Sequence, residues 1–370
     1  MQTHNTGRAT LGLVLFVAAC GGDSRKLCEP SLGAASAAYT DTDVPLPRHL
    51  LESPLGTVEF VDRQSAENPV TNAGAQLGRV LFYDPRLSAD NSISCSSCHR
   101  QELGFSDTLR SSRGIHGRAG ARRTMALANA RFNYAGRYFW DERAESLEKQ
   151  VLTPVKDSIE MGMLSEDLRA RLDSTSYYPA LFAAAFGSTE ISDERAANAL
   201  AQFIRTLVSS QSRFDAVYAT GGAPRPELLT AQEREGSQLF VREGCVNCHR
   251  TAAQIADKAT NIGLERITAD TGAGHGRFKP ASLRNIAIRP PYMHDGRFAT
   301  LRKVVEFYST GVQDNPDLDP RLRGEDGRPR RLDLSPAQVA AIVAFLESLT
   351  DSAFIRAERF SNPFACDRTQ

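Results

Sequence analysis

The chain has 370 residues, with 44 Lys and Arg balanced by 44 Asp and Glu, so its formal net charge is zero. That balance suggests no nucleic-acid or polyanion partner, while leaving room for a local docking patch for a charged electron donor. The length leaves room for two domains of ordinary size. At the N-terminus, Leu11-Gly-Leu-Val-Leu-Phe-Val-Ala-Ala19 is an apolar run far short of the ~20 residues that span a bilayer, with Arg8 the only Lys or Arg before it. It has the length of a signal-peptide core, which places residues 1–19 in a secretory signal and the mature chain in the periplasm. Val17-Ala18-Ala19-Cys20 resembles a lipobox; acyl chains on Cys20 would hold the protein on a membrane surface. The alternative is an ordinary signal with Cys20 incidental. Residues 20–44, rich in Ala, Ser and Thr, read as a tether.

Two Cys-x-x-Cys-His motifs follow, Cys95-Ser-Ser-Cys98-His99 and Cys245-Val-Asn-Cys248-His249. This pattern attaches c-type haem: the two thiols form thioethers with the porphyrin, and the adjacent His ligates the iron. A zinc site or a redox CxxC could share one such pentapeptide; two copies behind a secretory signal point to two covalently bound haem c groups. Ser192 opens a helix whose Ala196, Ala199, Leu200, Phe203, Ile204 and Leu207 share one stripe. Gly221 to Pro226 breaks the chain. Thr230-Ala-Gln-Glu233 is a capping box for a helix just ahead of the second motif, and Ser335-Pro336-Ala-Gln338 starts a closing helix. The class is therefore mainly α: two cytochrome c-like haem domains with long loops, at 45–220 and 227–366, whose sequences share little beyond the haem motif. Of the seven cysteines, Cys28 and Cys366 remain, as a disulfide between the ends of the mature chain or as two thiols.

Several further stretches resemble the bacterial dihaem cytochrome c peroxidase and MauG family. They are Leu77-Gly-Arg-Val-Leu-Phe-Tyr-Asp-Pro-Arg-Leu-Ser88, Glu102-Leu-Gly-Phe-Ser-Asp107, Gly114-Ile-His116-Gly, Tyr138-Phe-Trp-Asp-Glu-Arg143 and Pro154-Val-Lys-Asp-Ser-Ile-Glu-Met-Gly162. In the second half they are Phe278-Lys-Pro-Ala-Ser-Leu-Arg-Asn285 and Pro291-Tyr-Met-His-Asp-Gly-Arg-Phe-Ala-Thr-Leu301. The resemblance covers roughly residues 75 to 350, in order. It implies two unlike irons: a peroxidatic one on His99, open to hydrogen peroxide, and an electron-relaying one on His249, closed by two protein ligands.

The same resemblance assigns the remaining residues. Glu160 matches the distal acid–base carboxylate, with Gln150 and Pro154 lining the pocket around it. His116 matches the residue that caps the peroxidatic iron at rest and swings away. Trp140, the only tryptophan, matches the electron stepping stone between the haems; many members have Gly where Glu142 follows. The sixth ligand of the second iron falls on Tyr308, as in MauG-type members, with Met293 a rival; His294 contacts a haem propionate. A calcium ion between the haems is usual in the family. Arg123-Thr124 stands where many members have Arg-Asn, leaving Asn129 as a substitute ligand beside carbonyls near Pro291. His49 and His275 read as surface residues.

The function these readings imply is reduction of hydrogen peroxide by electrons from a small c-type cytochrome or cupredoxin. The alternatives are a MauG-like oxidase acting on a protein or small molecule, and a non-catalytic electron carrier. A homodimer is common among such relatives.

Overall fold

Most helices begin where a short polar side chain accepts a hydrogen bond from the first turn, an arrangement worth about 1 kcal/mol per cap. The computed structural model describes residues 1, 28–32, 38–51, 62–133, 135–219, 223–249 and 258–364. Its helices are α1 (Arg48–Leu51), α2 (Asn72–Tyr83), α3 (Cys95–Cys98), α4 (Leu147–Lys156), α5 (Ser165–Asp173), α6 (Tyr178–Phe186), α7 (Asp193–Thr206), α8 (Arg213–Tyr218), α9 (Ala231–Arg242), α10 (Leu301–Glu306) and α11 (Pro336–Glu347). Ser192 caps α7, and the reciprocal boxes Thr230/Glu233 and Ser335/Gln338 cap α9 and α11, where the sequence places them. Among the described residues β-pairing is confined to isolated bridges, so the fold is mainly α.

Two helix crossings organise two cores. In the first, α2 lies on α7, and a Cβ added to Gly78 would come within 1.9 Å of the Ala199 carbonyl oxygen. In the second, α9 lies on α11, and a Cβ on Gly236 would come within 1.9 Å of the Ala341 carbonyl oxygen. Each crossing stacks the same rings behind its haem-motif histidine. Phe82 lies 5.3 Å from Phe203 and 6.5 Å from His99; Phe240 lies 5.1 Å from Phe345 and 6.5 Å from His249.

The two halves are thus a structural repeat, and its trace runs through the sequence beyond the haem motif, contrary to the expectation above. Gly78-x-x-Leu81-Phe82 recurs as Gly236-x-x-Leu239-Phe240, Leu127-x-Asn129 as Leu283-x-Asn285, and Tyr138-x-x-Asp141-x-Arg143 as Tyr292-x-x-Asp295-x-Arg297. The last pair folds alike. Tyr138 bridges Ala144 as Tyr292 bridges Phe298, and the Asp–Arg ion pairs close at 2.8 and 2.7 Å.

The chain ends depart from the linear reading. Residues 38–44, expected to be tether, are packed: the Tyr39 ring is buried, its hydroxyl donates to the Arg359 carbonyl, and Asp41 pairs at 2.5 Å with buried Arg131. A buried guanidinium needs an anion, and this segment supplies one. His49 is not a surface residue either. It is 5 % exposed, and its Nε2 lies 2.8 Å from Asp215, which also pairs with Arg284 at 2.5 Å. Burial opposes ionisation of Asp215, but Arg284, His49 and Ser212 outweigh it and hold the carboxyl well below the usual range. His275 is exposed.

Beyond α11 the chain returns to the first half, where Phe354 and Phe360 pack on Phe105. Ser31 N–H donates to the Pro363 carbonyl at 2.8 Å, so the segment after Cys28 lies beside this returning strap. Cys28 is disulfide-bonded; Cys20, Cys366 and the signal segment lie outside the described residues. No helix among the described residues is long and apolar enough to cross a membrane.

The glycine crossings generate a test. An alanine in mid-helix gains roughly 1 kcal/mol of propensity over glycine, whereas overpacking costs about 1–3 kcal/mol. Because the obstacle is backbone, the clash wins: Gly78→Ala and Gly236→Ala each lower stability by about 2 kcal/mol, read by denaturant unfolding. Stabilisation by either would show that the helices do not cross at that separation.

Candidate functional site

The first motif is a single helical turn. Ser94 and Ser97 form a reciprocal cap over α3, Cys95 to Cys98, and His99 follows as its last residue. Burial pushes the Cys95 thiol up to about 12 and the Cys98 thiol up to about 11; burial also pushes Cys245 to about 12. Burial keeps these thiols neutral in the absence of a bound group. The His99 ring is buried, which lowers its basicity. Its Nδ1 donates to the Phe105 carbonyl at 3.1 Å, leaving Nε2 unprotonated and available to iron.

Over this motif stand two joined segments. After α4, the Asp157 carboxylate accepts from the Ile159 and Glu160 amides at 2.8 and 3.1 Å and turns the chain at Glu160. The Glu160 carbonyl accepts from Ile115 N–H at 2.9 Å. A Cβ on Gly114 would come within 1.8 Å of the Ile159 carbonyl oxygen. The loop bearing His116 is therefore fastened to the turn bearing Glu160. Burial, reinforced by Asp157, raises the Glu160 carboxyl above its ordinary value, and its charge acts on both Cys95 and Cys98. His116 is placed otherwise: it is 68 % exposed at the loop tip, with Nδ1 3.8 Å from Asp90.

The second motif opens onto a largely apolar cavity of about 230 Å³. Cys245, Cys248 and His249 lie on its wall together with Tyr308, Met293, His294 and Trp140. Tyr308 sits in a π-helical turn, Phe307–Gly311, that continues α10; such turns mark functional sites in many helices. Burial, with Cys248 and Cys245, holds its phenol well above the usual tyrosine range, so an unligated Tyr308 is neutral. His294 stacks on Phe278 at 3.6 Å and stands edge-on to Trp140 at 6.4 Å. The Trp140 indole N–H donates to the Arg123 carbonyl at 2.7 Å, and the Trp140 carbonyl accepts from Lys279 N–H at 2.8 Å. Trp140 thus bonds to the first half through its indole and to the second through its backbone.

The cationic rim fits a haem as well as the thiols do. Arg123 Nε and Arg289 Nε are buried without hydrogen-bond partners, and both residues line the cavity with Lys279. Burial pushes Lys279 down to about 7, and burial with neighbouring Arg123 pushes Arg289 down to about 9. Three poorly compensated cations around one cavity call for an anion, and haem propionates are anions of that kind.

The repeat explains what spacing alone leaves open. Ser146 caps α4 and Thr300 caps α10; counted from these caps, Gln150 corresponds to Val304 and Pro154 to Tyr308. Tyr308 and Val304 line the second cavity, and half-buried Gln150 and Pro154 are their counterparts by count in the first half. The phenol of one half is replaced in the other by a ring that cannot ligate. Glu142 is explained too. It has a left-handed backbone, φ 56°, as does its counterpart Gly296, φ 65°, a conformation glycine adopts without strain.

Asn129 does not serve as the expected calcium ligand. It is fully buried, its amide donating to the Ser209 carbonyl at 3.0 Å while its oxygen accepts from Ser209 N–H at 2.6 Å. The Arg289 carbonyl, near Pro291, accepts from Arg123 at 2.6 Å.

A family model for di-haem cytochrome c peroxidase matches residues 72–222, and one for cytochrome c matches 233–350. The chain is 35 % identical over 296 residues to a methylamine utilization protein MauG of Methylorubrum extorquens, covering 76 % of this chain and 79 % of that one. It is 33 % identical over 288 residues to a cytochrome c551 peroxidase of Nitrosomonas europaea, with coverages of 75 % and 79 %. Among solved structures, a MauG-like protein associated with microbial copper homeostasis superposes with a TM-score of 0.72 at 32 % identity, over 85 % of this chain and 99 % of that one.

The repeat makes a prediction about coordination. Pro154→Met puts a thioether where the other half carries Tyr308, and the haem-loaded variant is expected to convert its first iron to a six-coordinate, low-spin state. Tyr308→Phe is expected to do the reverse at the second iron. Optical and electron paramagnetic resonance spectra read both; unchanged spin states in both variants would show that these positions do not face the irons.

Proposed function

The chain belongs to the dihaem cytochrome c peroxidase and MauG family, and on that premise we propose that it reduces hydrogen peroxide to water with electrons from a small redox protein. One observation carries the reading: two equivalent positions, Pro154 and Tyr308, are chemically unlike, which leaves the first site open to a ligand and gives the second a donor. Haem iron, when bound, supplies the electrons and the site at which the O–O bond breaks. The overall change, H2O2 with two electrons and two protons to two waters, needs a group that takes a proton from one oxygen and delivers it to the other. Glu160 is half-buried, its carboxyl raised above the ordinary value by desolvation, and it is fixed by Asp157 on the side of Cys95 and Cys98. Gln150 and Pro154 shape that space. Trp140, bonded to residues of both halves, divides one long electron transfer into two short ones.

His116 has a regulatory place in this scheme. Ile115 is bonded to the Glu160 carbonyl, so an inward swing of His116 toward iron would drag the distal turn with it; the outward position leaves Glu160 in place. The donor, a c-type cytochrome or cupredoxin, would deliver electrons at the second haem. The protein would work in the periplasm, held to a membrane surface through Cys20, and a homodimer is in keeping with its relatives. Calcium keeps a part in the proposal only through the carbonyls around Pro291.

A MauG-like oxidation of a protein or small molecule is the second reading, and Tyr308 favours it. A thioether raises the potential of an iron, whereas an anionic phenolate stabilises its higher oxidation states. A carrier-only role leaves the half-buried Glu160 without a task. Stopped-flow mixing with peroxide separates the readings. Reaction of the fully oxidised protein supports the MauG-like reading, reaction only after half-reduction supports the gated peroxidase, and reaction from neither state contradicts both.

The raised Glu160 carboxyl supplies the sign of the pH dependence. The base form is needed, so the peroxide reaction slows as pH falls, with a midpoint above the ordinary carboxylate value of 4.5. Glu160→Gln is expected to flatten that profile and to slow the reaction by about 10²–10⁴-fold. An unchanged profile in the variant would assign the proton transfer elsewhere.

A further inference from the structure

The hydrogen bond on the first proximal histidine is backed by residues from the other end of the chain. Phe105, whose carbonyl accepts from His99 Nδ1 at 3.1 Å, is fully buried and held at φ 59°, an uncommon angle for a bulky side chain. Backbone bonds close the turn, Phe105 N–H donating to the Arg100 carbonyl at 2.8 Å and Leu127 N–H to the Phe105 carbonyl at 3.3 Å, and two longer-range contacts press on it. Its ring packs between Phe82, at 5.9 Å, and Phe354 of the returning strap, at 5.5 Å. Its neighbour Gly104 lies against Asn285 of the second half so closely that an added Cβ would come within 2.9 Å of the Asn285 Cβ.

Asn285 and the strap are fixed by one buried polar hub. Asn285 donates from its amide to the Ser209 hydroxyl at 3.0 Å and accepts from Asp351 N–H at 2.8 Å. Asp351 accepts from the Ser210 and Gln211 amides at 2.8 Å each and from Phe354 N–H at 2.9 Å, which starts the strap. Asn285, Ser209 and Asp351 are at most 1 % exposed, where a lost hydrogen bond cannot be replaced by water.

We infer that Asp351, Asn285 and Phe354 are positioning residues for the peroxidatic haem, setting through Gly104 and Phe105 the hydrogen bond that tunes its proximal imidazole. Such a bond raises the basicity of a histidine ligand and so the strength of its hold on iron. The second half of the chain thereby governs the first iron from its proximal side. The inference rests on the reading of His99 as the first haem's ligand.

The test uses the full haem-loaded chain with Phe354→Ala, Phe354→Leu and Asp351→Asn. Resonance Raman spectroscopy of the reduced protein reads the iron–imidazole stretch of the five-coordinate haem, and spectroelectrochemistry reads both midpoint potentials. Phe354→Ala and Asp351→Asn are expected to lower the stretching frequency and raise the first potential. The second potential stays in place, and Phe354→Leu restores the original values. An unmoved stretch in either haem-loaded variant, or equal shifts at both haems from a general loosening, overturns the inference. Failure of the unsubstituted chain to bind haem at His99 would instead remove the reading beneath it.

Discussion

Two backbone contacts, Gly78 on Ala199 and Gly236 on Ala341, decide where everything else in this protein sits. Without a side chain at the crossing the helices touch main chain to main chain. That brings Phe82 with Phe203, and Phe240 with Phe345, into the space behind each haem-motif histidine. The covalent motif supplies the haem and the crossing supplies the wall it rests on. The architecture is then the same device built twice.

Function lies in the differences between the copies. Pro154 replaces Tyr308, Trp140 replaces His294, and Glu160 has a turn of its own that the second half lacks in its π-helical continuation. A repeat keeps the frame fixed while, in the proposed function, these substitutions would set coordination, electron transfer and proton transfer separately. The junction between copies also gathers buried cationic side chains. Arg123 and Arg289 each keep a buried Nε without a hydrogen-bond partner there, beside Lys279.

Much of this was legible in the sequence. Ser192, Thr230 and Ser335 announce their helices because capping is local chemistry. The two haem motifs announce their cofactor because covalent attachment needs fixed spacing. The repeat was legible too, in Gly-x-x-Leu-Phe and Tyr-x-x-Asp-x-Arg, but only once the structure showed which glycines and aspartates correspond. What could not be read is long-range. His49 looked like a surface residue because nothing near it in sequence reveals Asp215 and Arg284. Asn129 looked like a cation ligand because its claim by Ser209, eighty positions away, is invisible in a linear string. The strap and the packed tether are likewise set by distant partners, Phe105 and Arg131.

The central claim is that one frame holds two unlike irons, one open and one closed. Electron paramagnetic resonance of the fully oxidised, haem-loaded protein tests it most directly. The account predicts one high-spin and one low-spin ferric signal in equal amounts, since His116 points outward and Pro154 offers no donor, whereas Tyr308 does. Two high-spin signals, or two low-spin signals with a first iron that stays six-coordinate after half-reduction, would contradict it.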